Sequence, residues 1–185
     1  MTPDLQLLLD DIWRGLCRAA ADRRHGWRTP VLATIGADGA PRARTVVLRA
    51  VDRQVRTLRL HTDRRSAKAG EIACDPRVAL VFWDARARLQ LRAGGIAELL
   101  TGGAARDAAW AATPPGARRD YATLDAPGTP SPAAQAAYGG DGSANFALVL
   151  VRIVTIDWLS LARDGHRRAG FALEEDGPRA TWLVP

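Results

Sequence analysis

Cysteine is nearly absent from this chain. Cys17 and Cys74 are the only two in 185 residues, too few for a disulfide scaffold or a Cys-rich metal site. The three histidines, His25, His61 and His166, do not stand at metal-ligand spacing, which argues against bound zinc. Lysine is scarcer still: of 26 basic residues, 25 are Arg and one is Lys68. No apolar run reaches the roughly 20 residues that a membrane helix needs, and the longest is cut by Arg152 and Asp157. The first residues carry Asp4, Asp10 and Asp11 and lack the basic-then-apolar order of a signal peptide. No GxGxxG follows a strand, and there is no P-loop, HExxH or GxSxG. These absences predict a cytoplasmic protein, with no membrane partner, whose chemistry does not rest on a side-chain nucleophile or a resident metal.

What is present suits one domain over residues 1–185. Hydrophobic residues make up 47% of the chain and charged ones 25%, enough apolar surface for a core and too little charge for disorder. A net charge of +6 raises the question of nucleic acid. The arginines are scattered rather than clustered, so no nucleic-acid footprint is predicted. Against that background of Arg, the single ammonium at Lys68 stands out.

The periodicity changes along the chain. Residues 4–24 repeat apolar side chains at helical spacing behind Thr2-Pro3. Strands are expected at Val31–Ile35, Arg42–Val51 and Val55–Thr62, the first two joined by a turn around Asp38-Gly39. Ser66–Cys74 reads as a short helix with Ser66 as N-cap. Further strands are expected at Arg77–Trp83 and Arg86–Ala93, continued by Ile96–Leu100 beyond a bulge or bend at Gly94-Gly95. Residues 103–123 look helical in pieces, broken at Pro114-Pro115-Gly116. The stretch 125–143, rich in Pro, Gly and Ala, reads as a flexible loop, disordered or serving as a lid. Asn145–Trp158 is the most strand-like segment, and a final hairpin turns at Asp176-Gly177. Six or seven strands without βαβ alternation predict a mainly β fold with flanking helices, a small antiparallel barrel.

Three segments place cations where chemistry could occur. Arg44-Thr45-Val46-Val47-Leu48-Arg49 sets Arg44, Val46 and Leu48 on one face and Thr45, Val47 and Arg49 on the other. His61 to Lys68 puts Thr62, Arg65, Ser66 and Lys68 around a helix start, where free N–H groups and cations suit a phosphate. Trp158 to Arg168 would fold into a hairpin around Asp164-Gly165, placing an aromatic face beside a guanidinium, an arrangement fit for a planar heterocycle. Taken singly, each has an ordinary structural alternative: a half-exposed strand, a capped surface helix, a Trp covered by Arg.

Their succession is more specific. Arg-x-Val-Val-Leu-Arg, then His-Thr-(x)4-Lys, then Arg-x-Gln before Glu98, then Trp-(x)7-His-x-Arg resembles the pyridoxamine 5′-phosphate oxidase family of FMN-binding split barrels, in a shorter branch. The resemblance covers roughly residues 30–100 and 145–184. It implies a six-stranded antiparallel split β-barrel and a homodimer holding FMN between its subunits. Arg44 would contact the FMN phosphate end, with Val46, Val47, Leu48 and Arg49 running beside the ring system. His61 stands where the family has an aromatic residue, and Thr62 would offer a hydroxyl to the flavin. Ser66 and Lys68 match the phosphate loop; Ala67 replaces a family Arg, for which Arg65 could compensate. Gln90 matches a flavin-bonding Gln. Trp158 and Arg168 match a pair supplied across the dimer, and His166 matches a residue on the substrate side. Asp164 stands where the full-length oxidases anchor substrate with an Arg. The implied function is an FMN-dependent oxidoreductase acting on a small-molecule substrate by hydride transfer to flavin N5. A flavin reductase-like enzyme with a nicotinamide donor, a non-catalytic FMN- or haem-binding protein, and a basic nucleic-acid-binding barrel are the competing readings.

Overall fold

The computed structural model describes residues 1–185. Helix α1 spans Pro3–Ala21, three residues shorter at its end than the periodicity suggested. Asp22 takes extended backbone there, and its side chain accepts the Arg24 backbone N–H at 2.8 Å. The helix stays because one face is apolar: Leu5, Leu9, Ile12, Trp13, Leu16 and Ala19 are all buried. Covering a Leu such as Leu16, fully shielded from water, stabilises by about 1.5–3 kcal/mol. No helix is long and apolar enough to cross a membrane.

Nine strands form one antiparallel sheet: β1 (Val31–Ile35), β2 (Pro41–Thr45), β3 (Leu48–Asp52), β4 (Thr57–Asp63), β5 (Arg77–Asp84), β6 (Leu89–Leu100), β7 (Phe146–Ser160), β8 (Arg167–Glu174) and β9 (Gly177–Leu183). The main path runs β2-β1-β5-β6-β7-β4-β3, and β8 and β9 branch from β7. The mainly β, antiparallel class agrees with the sequence; the count of six does not. The expected strand 42–51 is two, because β2 pairs with β1 while β3 pairs with β4. Between them the Val46 backbone N–H donates to the Pro30 carbonyl at 2.9 Å, turning the chain from one sheet edge to the other.

The split lies in β7. Phe146–Arg152 pair with β4 and Thr155–Ser160 pair with β8, while β6 follows the opposite edge along nearly the whole strand. The β6–β7 register shifts between Gly94 and Gly95, where the expected bulge occurs. A Cβ on Gly95 would lie 2.5 Å from the Arg152 carbonyl oxygen, so no larger residue fits without moving backbone.

Helix α2 (Ala67–Cys74) lies against β1 and β6. Helices α3 (Ala104–Ala111) and α4 (Pro115–Arg118) follow β6. Residues 125–142 carry no helix or strand beyond a bridge from Tyr138 to Thr123. The stem of this loop is tied: the Leu124 N–H donates to Ala137 O at 2.9 Å, and the Arg119 guanidinium lies 4.6 Å from the Tyr138 ring centroid.

Candidate functional site

One cluster of the expected residues forms where β2 passes under α2. Register places Leu32 opposite Arg44 and Thr34 opposite Arg42, so the Arg44 side chain lies on the same face as the buried Thr34. Its Nη2 donates to Glu71 Oε2 at 2.6 Å, and its Nη1 donates to Thr34 Oγ1. The Thr34 hydroxyl donates in turn to Glu71 Oε2 at 2.5 Å. Glu71 stands one helical turn after Lys68, on the same side of α2. Burial pushes the Lys68 ammonium below the usual lysine value, Arg44 adds to that, and Asp63 and Glu71 oppose it. Two cations therefore share this bay with one carboxylate that serves Arg44. The neighbouring Asp63 is engaged by Arg65 at 2.8 Å, so the bay keeps about one uncompensated positive charge. A phosphate monoester fits that donor set.

Other expected contacts look elsewhere. Arg65 bonds to Asp63 and reaches the Thr123 and Leu124 carbonyls at 3.0 Å each. It is a strut onto the 121–125 segment, and its guanidinium does not reach into the space beside Ala67. That space is a cavity of about 450 Å³ bordered by Ala67, Gly70, Glu71 and Arg42. The Thr62 and Ser66 hydroxyls are buried and lie 3.1 Å apart, and Ser66 also donates to Asp63 O at 2.7 Å. Ser66 occupies the N-cap position of α2 without a side-chain cap bond. Both hydroxyls shape the turn that aims Lys68.

Arg49 and His61 form a second group on the outer face of β3 and β4. His61 meets Phe146 edge-on at 4.8 Å between centroids, with Tyr121 and Trp110 packed on the same Phe146. Arg49 Nε and His61 Nδ1 are buried without a protein partner, polar atoms that a ligand could satisfy. Burial first, then the Arg49 charge, lowers the His61 pKa to about 4. The unfolded value is near 6.5, so the folded state prefers neutral His61. Its contribution to stability is complete above about pH 6.5 and is lost as pH falls toward 4. Urea midpoints at pH 7 and pH 5 should show a smaller drop for His61→Phe than for the wild type. Equal drops would mean that His61 does not sense the burial.

Gln90, Trp158 and Arg168 make a third group, and the register divides it. Gln90, Leu159 and Arg168 are aligned across β6, β7 and β8, whereas Trp158 is aligned with Leu91 and Ala169 and points to the opposite face. Arg168 grips Asp157 at 3.1 and 2.7 Å. The cation over Trp158 is Arg167, 5.9 Å from the ring centroid. Within the expected 166–168 stretch it is therefore Arg167 that covers the Trp, while Arg168 turns to the opposite face of the sheet. Trp158 and Arg167 line a cavity of about 880 Å³, with Trp27 and Trp182 under α1. Asp4, Asp11 and Asp84 balance its arginines, so an anion is better served in the Arg44–Lys68 bay. His166 and Asp164 sit exposed in the β7–β8 connection.

The strand β7 measures the distance between groups. His61 aligns with Leu148, while Gln90 and Arg168 align with Leu159. Eleven residues of strand separate those rows, at most about 35 Å measured along the strand at roughly 3.3 Å per residue. His61 and Gln90 therefore lie toward opposite ends of β7.

Comparison with known proteins bears on what this arrangement is. A family model described as pyridoxamine 5′-phosphate oxidase, FMN-binding domain, matches residues 10–101, which include the bay and Gln90. A pyridoxine/pyridoxamine 5′-phosphate oxidase of Thermobifida fusca is 41% identical over 101 residues, 48% of this chain and 44% of that protein. The chain belongs to the pyridoxamine 5′-phosphate oxidase-like FMN-binding family. A second such oxidase, of Thermosynechococcus vestitus, is 42% identical over 87 residues, 47% of this chain and 40% of that protein. The matches thus span less than half the length of these curated relatives. Among solved structures, a pyridoxamine 5′-phosphate oxidase-related, FMN-binding protein of Nostoc punctiforme aligns over 100% of this chain and 98% of its own, with a TM-score of 0.80 and 26% identity. PhzG of Burkholderia lata shares the fold, with a TM-score of 0.76 over 100% of this chain and 98% of its own at 17% identity.

Thr34, Glu71, Tyr121 and Trp110 were not singled out from sequence. Two of them left a signal. Thr34 follows the apolar Leu32 by two positions on an alternating strand, so it is a polar residue on an inward face. Glu71 is three residues from Lys68 on a helix.

Proposed function

We propose that the chain is an FMN-dependent oxidoreductase of this family, working as a homodimer with a small-molecule substrate. The observation that carries this reading is the Arg44–Lys68 bay, a partly buried pair of cations with excess positive charge inside the matched region. In this reading Arg44 and Lys68 hold the monoester of FMN by charge-assisted bonds. Val47 and Arg49 border the ring system, whereas Val46 and Leu48, expected beside it, are buried in the core, Leu48 completely. The bound flavin supplies the redox chemistry by taking a hydride at N5. Gln90 and Arg168 come from the second subunit, a reading supported by their place eleven residues along β7 from the His61 row. His166 lies on that second subunit's exposed connection, on the substrate side.

Two measurements test this reading. Purified protein should show flavin absorbance, and mass analysis of the released ligand should return FMN. Light scattering at low micromolar concentration should give about twice the 19.9 kDa of the chain. A monomer that still binds FMN tightly would refute the shared site. Turnover with a panel of electron donors separates an enzyme from a binding protein.

A further inference from the structure

We propose that Glu71 is a positioning residue of the phosphate bay, fixing the Arg44 guanidinium through a closed triangle of hydrogen bonds with Thr34. The inference rests on the FMN reading above and adds a residue to it. Simple electrostatics points the other way. A carboxylate 2.6 Å from Arg44 brings a negative charge next to a bound phosphate and should weaken it. The geometry indicates a different role. Glu71 Oε2 receives both the Arg44 Nη2–H and the Thr34 hydroxyl, while that hydroxyl receives Arg44 Nη1–H. The triangle holds both terminal nitrogens of the guanidinium, so its plane is set before any ligand arrives. The Arg44 and Glu71 side chains are 24% and 11% exposed, and Thr34 is 3% exposed. An Arg in that setting without its carboxylate would be free to swing out toward water. Pre-organised donors outperform mobile ones because less freedom is lost on binding.

A second effect follows from position. Lys68 is faced by Arg44 from β2, Asp63 from the end of β4 and Glu71 from its own helix. The Arg and burial disfavour its proton, and the two carboxylates favour it. Lys68 is the group here whose proton burial and Arg44 disfavour, so it sets the alkaline limit of phosphate binding. Removing the Glu71 charge should move that limit to lower pH.

The experiment is a fluorescence titration of FMN and riboflavin between pH 6 and 11, with wild-type protein and the variants Glu71→Gln, Glu71→Asp and Thr34→Val. Glu71→Gln should weaken FMN at least tenfold, leave riboflavin within twofold, and lower the pH at which FMN affinity falls. Glu71→Asp keeps the charge but shortens the reach. It should also weaken FMN about tenfold, with the alkaline limit unmoved. Thr34→Val removes one corner of the triangle at nearly constant volume and should cost about fivefold. Unchanged riboflavin binding shows that each variant is folded. If Glu71→Gln binds FMN as tightly as the wild type or more tightly, the carboxylate opposes the phosphate and the proposal is wrong, while the FMN reading stands. If the wild type does not prefer FMN to riboflavin, the phosphate bay falls and this inference falls with it.

Discussion

Lys68→Ala should weaken FMN binding by about 30- to several-thousand-fold and leave riboflavin binding almost unchanged. The range comes from removing one partner of a partly buried, charge-assisted contact, which costs about 2–5 kcal/mol, at about 1.4 kcal/mol per tenfold in affinity. Lys68 should fall in the upper part of that range. Its ammonium is held in the bay against burial and against Arg44, so its protonated form is costly to maintain unless an anion uses it. Ala67 offers no cation, and Arg65 is tied to Asp63 and two carbonyls. Neither position 65 nor position 67 at the α2 start can take its place. Arg44→Ala should act in the same direction, with a further loss of stability because Glu71 is left without its partner. Parallel titrations with FMN and riboflavin decide the matter: equal losses for the two ligands would move the phosphate out of the bay.

A second large effect is expected in substrate choice. Loaded with FMN, the protein should be a poor pyridoxamine 5′-phosphate oxidase. The resemblance implies a substrate-anchoring Arg at the position of Asp164, and an anion there repels a substrate phosphate. Loss of one phosphate-binding Arg costs a few kcal/mol, and an added like charge increases that cost. Arg118 and Arg119 are the other cations that could have restored the contact. The structure engages both: Arg118 caps α3 through the carbonyls of Thr113, Trp110 and Ala111 at 2.9, 3.2 and 3.0 Å, and Arg119 lies on Tyr138. Oxygen-dependent formation of pyridoxal 5′-phosphate should run at least a hundredfold below an ordinary rate of about 1 s⁻¹, and Asp164→Arg should raise it. Turnover near 1 s⁻¹ by the unaltered protein at micromolar substrate would overturn the expectation.

The sequence made the class of fold and the order of the functional segments legible, because both rest on local signals. Alternation marked β6, and the Gly94-Gly95 pair marked its bulge. It did not show that 42–51 is two strands, since Val46 and Val47 continue the alternation and only the pairing partners change. The direction of individual side chains was the other blind spot. Arg65 and Arg168 lie in the expected segments, yet Asp63 and Asp157 capture them. A partner two residues away or across a strand is settled by rotamer and register, which spacing alone does not encode. Glu71 and Thr34 were missed because their roles come from a third residue, Arg44, 27 and 10 positions away in the chain.

The branching of β7 also bears on how the molecule comes into being. Strands β1, β2, β5 and β6 form one half-sheet and β3 with β4 another, and β7 alone is bonded to both. Its pairing with β4 joins Asp63 to Phe146 and Thr57 to Arg152, separations of 83 and 95 residues. A ribosome working at about 5–20 residues per second needs roughly 2–9 s to pass from Leu100 to Phe146. Throughout that interval β6 and β4 each present an open, apolar edge. Such edges recruit foreign strands, so the nascent chain is open to strand addition until β7 arrives. A fragment ending near residue 101 would remain in that exposed condition permanently.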